Sequence, residues 1–149
     1  MRAVVQRVVQ ARVTVEPDYV AEIGAGLLLL VGVERGDGPG DVAYVADKSV
    51  ALRVFGDDAG RMNRSLLEVG GEALVVSQFT LHGDVRRGRR PSFTQAEDPA
   101  LAERRYEELV AAIRSHGVTA REGRFGARMT VDCSNDGPVT ILLDSRRLF

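Results

Sequence analysis

Asn135-Asp136-Gly137-Pro138-Val139-Thr140 stands between two runs that read as β-strands, residues 129–133 and 139–143. Asn, Asp, Gly and Pro in succession are turn residues, each able to bend the chain for its own stereochemical reason. One reading is a tight connection between two strands paired with each other. A second is a binding loop. Proline has no N–H and tolerates a cis bond, and a preceding glycine has no side chain to clash. A cis Gly137–Pro138 bond would turn two neighbouring carbonyls to one side with no donor between them. Such a pair of acceptors suits an ammonium group.

Upstream of this stretch, Met129, Val131 and Cys133 alternate with Thr130, Asp132 and Ser134, which predicts a half-buried strand with Cys133 as a small core residue. Residues 118–122 alternate in the same way, and Gly123 and Gly126 mark a loop. Asp98-Pro99 predicts a helix start, with Asp98 as N-cap and Pro99 in the first turn. Ala102, Tyr106, Leu109, Val110 and Ile113 form its apolar stripe, and Gly117 ends it. Residues 73–81 read as a strand whose apolar half runs into Ser77-Gln78-Phe79-Thr80. On a continuing strand Gln78 and Thr80 would share one face, with Ser77 and Phe79 on the other.

Towards the N-terminus, residues 41–53 carry apolar positions at helical spacing, with Asp41 as the expected N-cap and Gly56 closing the segment. Leu66-Leu67 and Val69 precede the Gly70-Gly71 turn. The continuous apolar run 27–33 predicts a strand covered on both faces. Residues 2–15 are a valine-rich strand. Val4-Val5 and Val8-Val9 break its alternation, which predicts a bulge or bend before Gln10. Glu16-Pro17-Asp18 is a turn and residues 20–23 a short return strand. The reading is α+β: one domain over residues 1–149, with a mostly antiparallel or mixed sheet, or a barrel-like one, and two main helices packed on it.

Composition limits the functional classes. The 149 residues carry a net charge of −1, so no polycationic nucleic-acid coat is indicated. One cysteine and two histidines make neither an internal disulfide nor a metal cluster of familiar spacing, and no cofactor is expected. The start Met1-Arg2-Ala3-Val4-Val5 lacks a signal-peptide pattern, and the longest apolar run falls far short of the ~20 residues of a membrane helix. The expectation is a soluble, cytoplasmic protein without membrane or DNA partners.

Catalytic side chains are few. Thr80 is a candidate nucleophile without an evident base, although His82 could share its face. His116 belongs to a helix C-terminus. Asp132 and Asp136 flank the turn, and Glu107-Glu108 read as a solvated helix face. Arg86, Arg87, Arg89 and Arg90 crowd four guanidinium groups into five residues, directly after the candidate site strand. They form a solvated loop or a phosphate-contacting one.

Two of these stretches, Val76-Ser77-Gln78-Phe79-Thr80-Leu81 and Asn135-Asp136-Gly137-Pro138-Val139-Thr140, resemble the paired signatures of the D-aminoacyl-tRNA deacylases. The opening Met1-Arg2-Ala3-Val4-Val5-Gln6-Arg7-Val8, Gly70-Gly71-Glu72 and Arg87-Gly88-Arg89-Arg90-Pro91-Ser92-Phe93 fit in the same order, so the resemblance spans the chain. The turn Glu16-Pro17-Asp18-Tyr19 and His82 depart from the family's usual residues, outside both signatures. The resemblance implies a homodimeric hydrolase that frees D-amino acids, and glycine, from the 3′ end of tRNA. It implies a cis Gly137–Pro138 chirality filter inserted into the partner subunit's site. Ser77, Gln78, Phe79 and Thr80 would line that site, Met129 would contact substrate and Arg7 would brace the loop. The ribose 2′-hydroxyl would assist hydrolysis, with attack by Thr80 as the mechanistic alternative. A non-catalytic binder of tRNA ends or small amines, and a threonine-nucleophile amidase, are the competing readings.

Overall fold

In a computed structural model that describes residues 1–148, the elements follow the order β1 (Arg2–Val15), β2 (Tyr19–Ile23), β3 (Gly26–Gly32), α1 (Pro39–Ala51), β4 (Phe55–Gly56), β5 (Met62–Arg64), α2 (Leu66–Val69), β6 (Glu72–Ser77), a 3-10 turn (Phe79–His82), α3 (Pro99–Ser115), β7 (Ala120–Glu122) and β8 (Thr130–Asp144). One edge of β1 pairs antiparallel with β3 over its first half and β2 over its second. Its other edge pairs antiparallel with β8 along nearly its whole length. Beyond β3 the sheet continues in parallel through β6 to β7. The sheet is mixed, and its parallel part is reached by two crossovers, one containing α1 and one α3. The sequence order alone had not suggested such crossovers.

The bulge foreseen in β1 is present: its register against β8 shifts between Gln6 and Val8 and again between Val8 and Gln10. The shift gives the sheet two cores. Ala3 and Val5 join Leu27, Leu29, Ala73 and Val75 beneath α1 and α3. Past the bulge, Val8, Ala11 and Val13 join Leu28, Leu74 and Val76 on the opposite face. There the sheet curls until β2 reaches β7, where the Tyr19 hydroxyl donates to the Glu122 carbonyl at 2.6 Å. This makes a nearly closed, barrel-like wall. Adding a Cβ at Gly26 would bring it within 1.9 Å of the Glu72 carbonyl oxygen, so a side chain there is excluded where β3 and β6 begin to pair.

The helix α3 starts and ends as its residues dictate. Asp98 accepts from Ala100 N at 3.1 Å, Pro99 occupies the first turn, and the buried stripe is Ala102, Tyr106, Leu109, Val110 and Ile113. Helix α1 begins earlier than the sequence suggests. Gly38 is the N-cap, and Asp41 sits three residues inside, accepting from Gly38 N at 2.8 Å. An acidic residue serves a helix start equally from either position, since both face unpaired N–H groups. The helix ends at Ala51, and Gly56 belongs to the small β4–β5 hairpin. A further short helix, α2, is capped by Ser65 and Glu68 and closed by Gly70 in the left-handed region (φ 63°).

Three expectations change more deeply. First, β6 stops at Ser77, and Phe79–His82 wind into a 3-10 turn, so Gln78 and Thr80 do not share a strand face. Second, residues 129–133 and 139–143 do not pair with each other. Residues 130–133 and 139–143 both lie on β8, which runs against β1, and the Asn135–Thr140 stretch bulges from one strand without reversing it. Third, Cys133 is exposed. It pairs in register with buried Ala11, so it points to the expected side, but nothing among the described residues covers this edge.

His82, only 3% exposed, fixes the 3-10 turn to the sheet. Its ring packs against Gly32, where a Cβ would come within 2.9 Å of it, and neither ring nitrogen has a hydrogen-bond partner among the described residues. Burial pushes its pKa below the ordinary histidine value, against the opposing pull of Glu34. The unfolded chain therefore binds a proton more readily than the folded one, and this contribution to stability falls as the pH drops below about 6.5. His82→Leu should show a smaller loss of urea midpoint between neutral and mildly acidic pH than the unsubstituted protein. Equal losses in both would exclude His82 as the source.

Candidate functional site

Four buried apolar residues, Ala73 to Val76, form the middle of β6 and deliver Ser77 to the sheet's end. Ser77 pairs in register with Val31, and Gln78 N donates to the Val31 carbonyl at 2.7 Å, so the following turn leaves a fixed point. The turn closes on itself through Leu81 N to Gln78 O and Gly83 N to Thr80 O. Arg2, ion-paired to Asp144 at 2.9 Å, donates to the Leu81 carbonyl at 3.3 Å. The turn is thus tied to β1 and β8 as well as to β3. Its exposed residues are Phe79 and Thr80, and the Gln78 side-chain amide donates to the Thr80 hydroxyl.

A cleft of about 480 Å³ opens beside this turn, between the start of α3 and residues 125–131. Ser77, Gln78, Phe79 and Met129 line it, with Phe125 and Ala102 opposite. The walls are mostly apolar; the polar lining is Ser77 and Gln78 on the side of the turn and Glu97 ahead of α3. This geometry holds a flat apolar group while presenting hydrogen-bonding atoms to whatever projects from it. Phe125 and Ala102 were not foreseen. Its spacing places Ala102 in the helix core, and Phe125 sits in a loop that its flanking glycines mark only as irregular. A larger groove of about 790 Å³ lies elsewhere, along β1, β2 and β8; Asp132 lines it, but none of Arg7, Ser77–Thr80, Met129, Gly137 and Pro138 does.

Thr80 stands outside the cleft lining, joined to it through Gln78. Its hydroxyl partner is an amide, not a base, and buried His82 is turned towards Gly32. His116 lies apart, paired to Asp47 at 2.9 Å. Among the described residues no group of three or more His, Cys, Asp or Glu is placed to hold a metal ion, and no helix is long and apolar enough to cross a membrane.

The basic loop is only partly free. Arg86 folds back onto Asp84 with two bonds, Nε to Oδ1 at 2.9 Å and Nη2 to Oδ2 at 2.7 Å. These bonds hold the Asp84 carboxyl down to about 2. Backbone bonds between Asp84 and Ser92 close the loop's base. Arg87, Arg89 and Arg90 are exposed and form no ion pair among the described residues. Phe93 then packs edge-on to Phe79 at 5.0 Å between ring centroids, which sets the loop beside the cleft.

The Gly137–Pro138 loop is elsewhere. Its peptide bond is cis, and so is Glu16–Pro17 in the turn between β1 and β2. The Arg7 side chain reaches both the Asp136 carbonyl at 3.0 Å and its carboxylate at 3.1 Å, and donates to the Val54 carbonyl from its other end. Gly137 and Pro138 are exposed. Neither they nor Arg7 line the cleft. Ser77 lies opposite Val31 and so level with Ala3, four residues along β1 from Arg7, and three strand spacings separate β6 from β8. At ~3.4 Å per residue and ~4.8 Å per strand, the two stretches are roughly 20 Å apart across the sheet.

Comparison with known proteins places this geometry. The family model for D-Tyr-tRNA(Tyr) deacylase matches residues 4–144. A D-aminoacyl-tRNA deacylase of Heliobacterium modesticaldum is 56% identical over 146 residues, covering 98% of this chain and 97% of the relative. That of Clostridioides difficile is 53% identical over 149 residues, covering both chains fully. Among solved structures, a protein described as c-Myc DNA Unwinding Element Binding Protein superposes with a TM-score of 0.90 at 38% identity, over 97% of this chain and 98% of the other. A probable eukaryotic D-amino acid tRNA deacylase shares the fold, with a TM-score of 0.79 at 19% identity over 95% of this chain and 97% of the other. With matches of this extent along its length, the chain belongs to the D-Tyr-tRNA(Tyr) deacylase family.

Proposed function

We propose that this protein hydrolyses the ester joining a D-amino acid, or glycine, to the 3′ end of tRNA, in the cytoplasm and without a cofactor. The observation that carries the reading is the polar turn Ser77–Thr80 at the mouth of an apolar cleft, in a chain that matches deacylases from end to end. The cleft takes the terminal nucleoside, its base lying among Phe125, Met129 and Ala102. The ester then projects over the turn. Phe79 and Thr80 start the 3-10 turn, so their N–H groups have no acceptor within it. They are aimed to receive the charge that develops on the ester carbonyl oxygen.

Chemistry of this kind needs no side-chain base. Water adds to the carbonyl carbon, the bond to the ribose 3′-oxygen breaks, and that oxygen takes up a proton. The neighbouring 2′-hydroxyl orients the water and relays the proton. The Gln78–Thr80 bond supports this reading over a threonine nucleophile, because it occupies the hydroxyl with an amide.

The chirality filter is the Gly137–Pro138 loop of a second copy, since one chain holds its own loop far from its own cleft. Val4 pairs in register with both Leu30 and Leu142, so the three share a face. Val4 and Leu30 are half-buried and Leu142 is 57% exposed, an apolar surface that a two-fold partner would cover. The substrate's ammonium meets the loop carbonyls, the ester meets the turn, and the third direction at the α-carbon points into the loop. Only hydrogen fits there, so a D side chain leaves the site, an L side chain collides, and glycine passes.

Incubation with D- and L-aminoacyl-tRNA separates this reading from a non-catalytic binder: selective loss of the D-ester is expected, and protection of both would overturn it. Thr80→Ala should slow the D-ester by about tenfold, the worth of one hydrogen bond. A substrate lacking the terminal 2′-hydroxyl should lose ~1,000-fold or more. A dead Thr80→Ala enzyme with an unaffected deoxy substrate would make Thr80 the nucleophile.

Replacing Arg87, Arg89 and Arg90 by alanine should weaken tRNA binding and flatten its dependence on salt by roughly 0.7–0.9 in slope per lost phosphate contact. Arg86→Ala, which removes a residue already held by Asp84, should change the slope little. An unchanged slope in the triple variant would assign the loop to solvent. Sedimentation at assay concentration should show a dimer. A fully active monomer would end the proposal of a shared site.

A further inference from the structure

We infer that Asn135 is the positioning residue of the Gly137–Pro138 loop, the side chain that gives this backbone a single shape. The inference rests on the function proposed above and adds a residue to which no role has been given. The strand register requires such a device. Gln6 pairs with Thr140 and Val8 with Asn135, so only Arg7 stands opposite the four residues Asp136 to Val139. A bulge of this size takes those residues off the ladder, and their polar backbone must find other partners.

Asn135 supplies them across the loop's neck. Its Oδ1 accepts from Val139 N at 2.8 Å, and its Nδ2 donates to the Val139 carbonyl at 3.1 Å. One planar amide thus meets both backbone groups of the same residue, as a neighbouring strand would. Nδ2 also reaches the Thr140 hydroxyl at 3.3 Å, which accepts from Gln6 Nε2 at 3.2 Å, so the neck is tied back to β1. Arg7 holds the outgoing limb at Asp136 and Asn135 holds the returning limb at Val139. Between these two fixed points lie only Gly137 and Pro138. An amide is the side-chain group that offers donor and acceptor together at this reach; a carboxylate would keep the bond from Val139 N and repel its carbonyl.

The test compares Asn135→Ala and Asn135→Asp with the unsubstituted protein on D- and L-aminoacyl-tRNA, and follows hydrogen exchange at the Val139 amide by NMR. Loosening the loop should lower the D-over-L ratio of kcat/KM by about 100-fold in the alanine variant, the scale of a misplaced positioning group. Val139 exchange should quicken by about tenfold or more. The aspartate variant should keep Val139 slow to exchange yet still lose discrimination. A ratio unchanged in either variant overturns the inference, and so does a Val139 amide equally protected in Asn135→Ala. If the alanine variant does not fold, Asn135→Asp alone decides by the same ratio. If the unsubstituted protein cleaves neither D- nor glycyl ester, the proposed function fails, and the exchange measurement still judges the clamp.

Discussion

One strand sets the terms for the whole molecule. β1 is fourteen residues long and serves two edges at once, with β3 and then β2 on one side and β8 along the other. A strand of this length cannot keep one face buried against flat helices and also close a curl. It changes phase between Gln6 and Gln10, and the change moves its buried residues from Ala3 and Val5 to Val8, Ala11 and Val13. Since side chains alternate with period two, one irregular step exchanges the faces of all that follows. The helix-covered core and the barrel-like core are both consequences of that step. So is the loop on β8, because the partner strand must absorb the same irregularity.

The proposed reaction site depends on the other end of the same sheet. Val31, Arg2 and the Gly32–His82 contact hold the 3-10 turn from three directions, through hydrogen bonds at Gln78 and Leu81 and through packing of the His82 ring against Gly32. The residues it presents, Phe79 and Thr80, are exposed on a backbone with little freedom to move. A buried imidazole with no hydrogen-bond partner among the described residues is costly to place. Here it fills the space left by a glycine and keeps the turn's polar side outward.

Much of this was legible in the sequence where local chemistry has one outcome. Asp98-Pro99 begins a helix in any context, and the spacing from Ala102 to Ile113 allows one buried face. The doublets Val4-Val5 and Val8-Val9 announced the phase change directly. Legibility failed where two structures satisfy the same local demand. Asn, Asp, Gly and Pro relieve a strand of its pairing whether the chain then reverses or merely bulges, and only the register against β1 distinguishes the two. Asp41 favours a helix start as cap or as third residue. Ser77-Gln78-Phe79-Thr80 follows apolar strand residues without a breaker, so the 3-10 turn has no local signal. It is imposed by Arg2 and Gly32, residues far away in sequence. The alternation placed Cys133 on the correct side, but whether a side is covered is a property of the assembled fold.

The bulge also bears on a problem that any long edge strand creates. Among the described residues β8 pairs only with β1, so a fifteen-residue strand leaves its outer edge without a protein partner. A bare, regular edge of that length is a template for further strands. Asp136, Gly137, Pro138 and Val139 interrupt it near its middle, with a proline that cannot donate and a backbone lifted off the ladder. No foreign strand can run past that point in register. The protection and the proposed chirality filter therefore require the same thing of these residues: carbonyls that point away from the sheet and no neighbouring N–H to pair with them. A loop projected for either reason would be fit for the other, which accounts for the placement of the signature stretch in the middle of an edge and not at a hairpin tip.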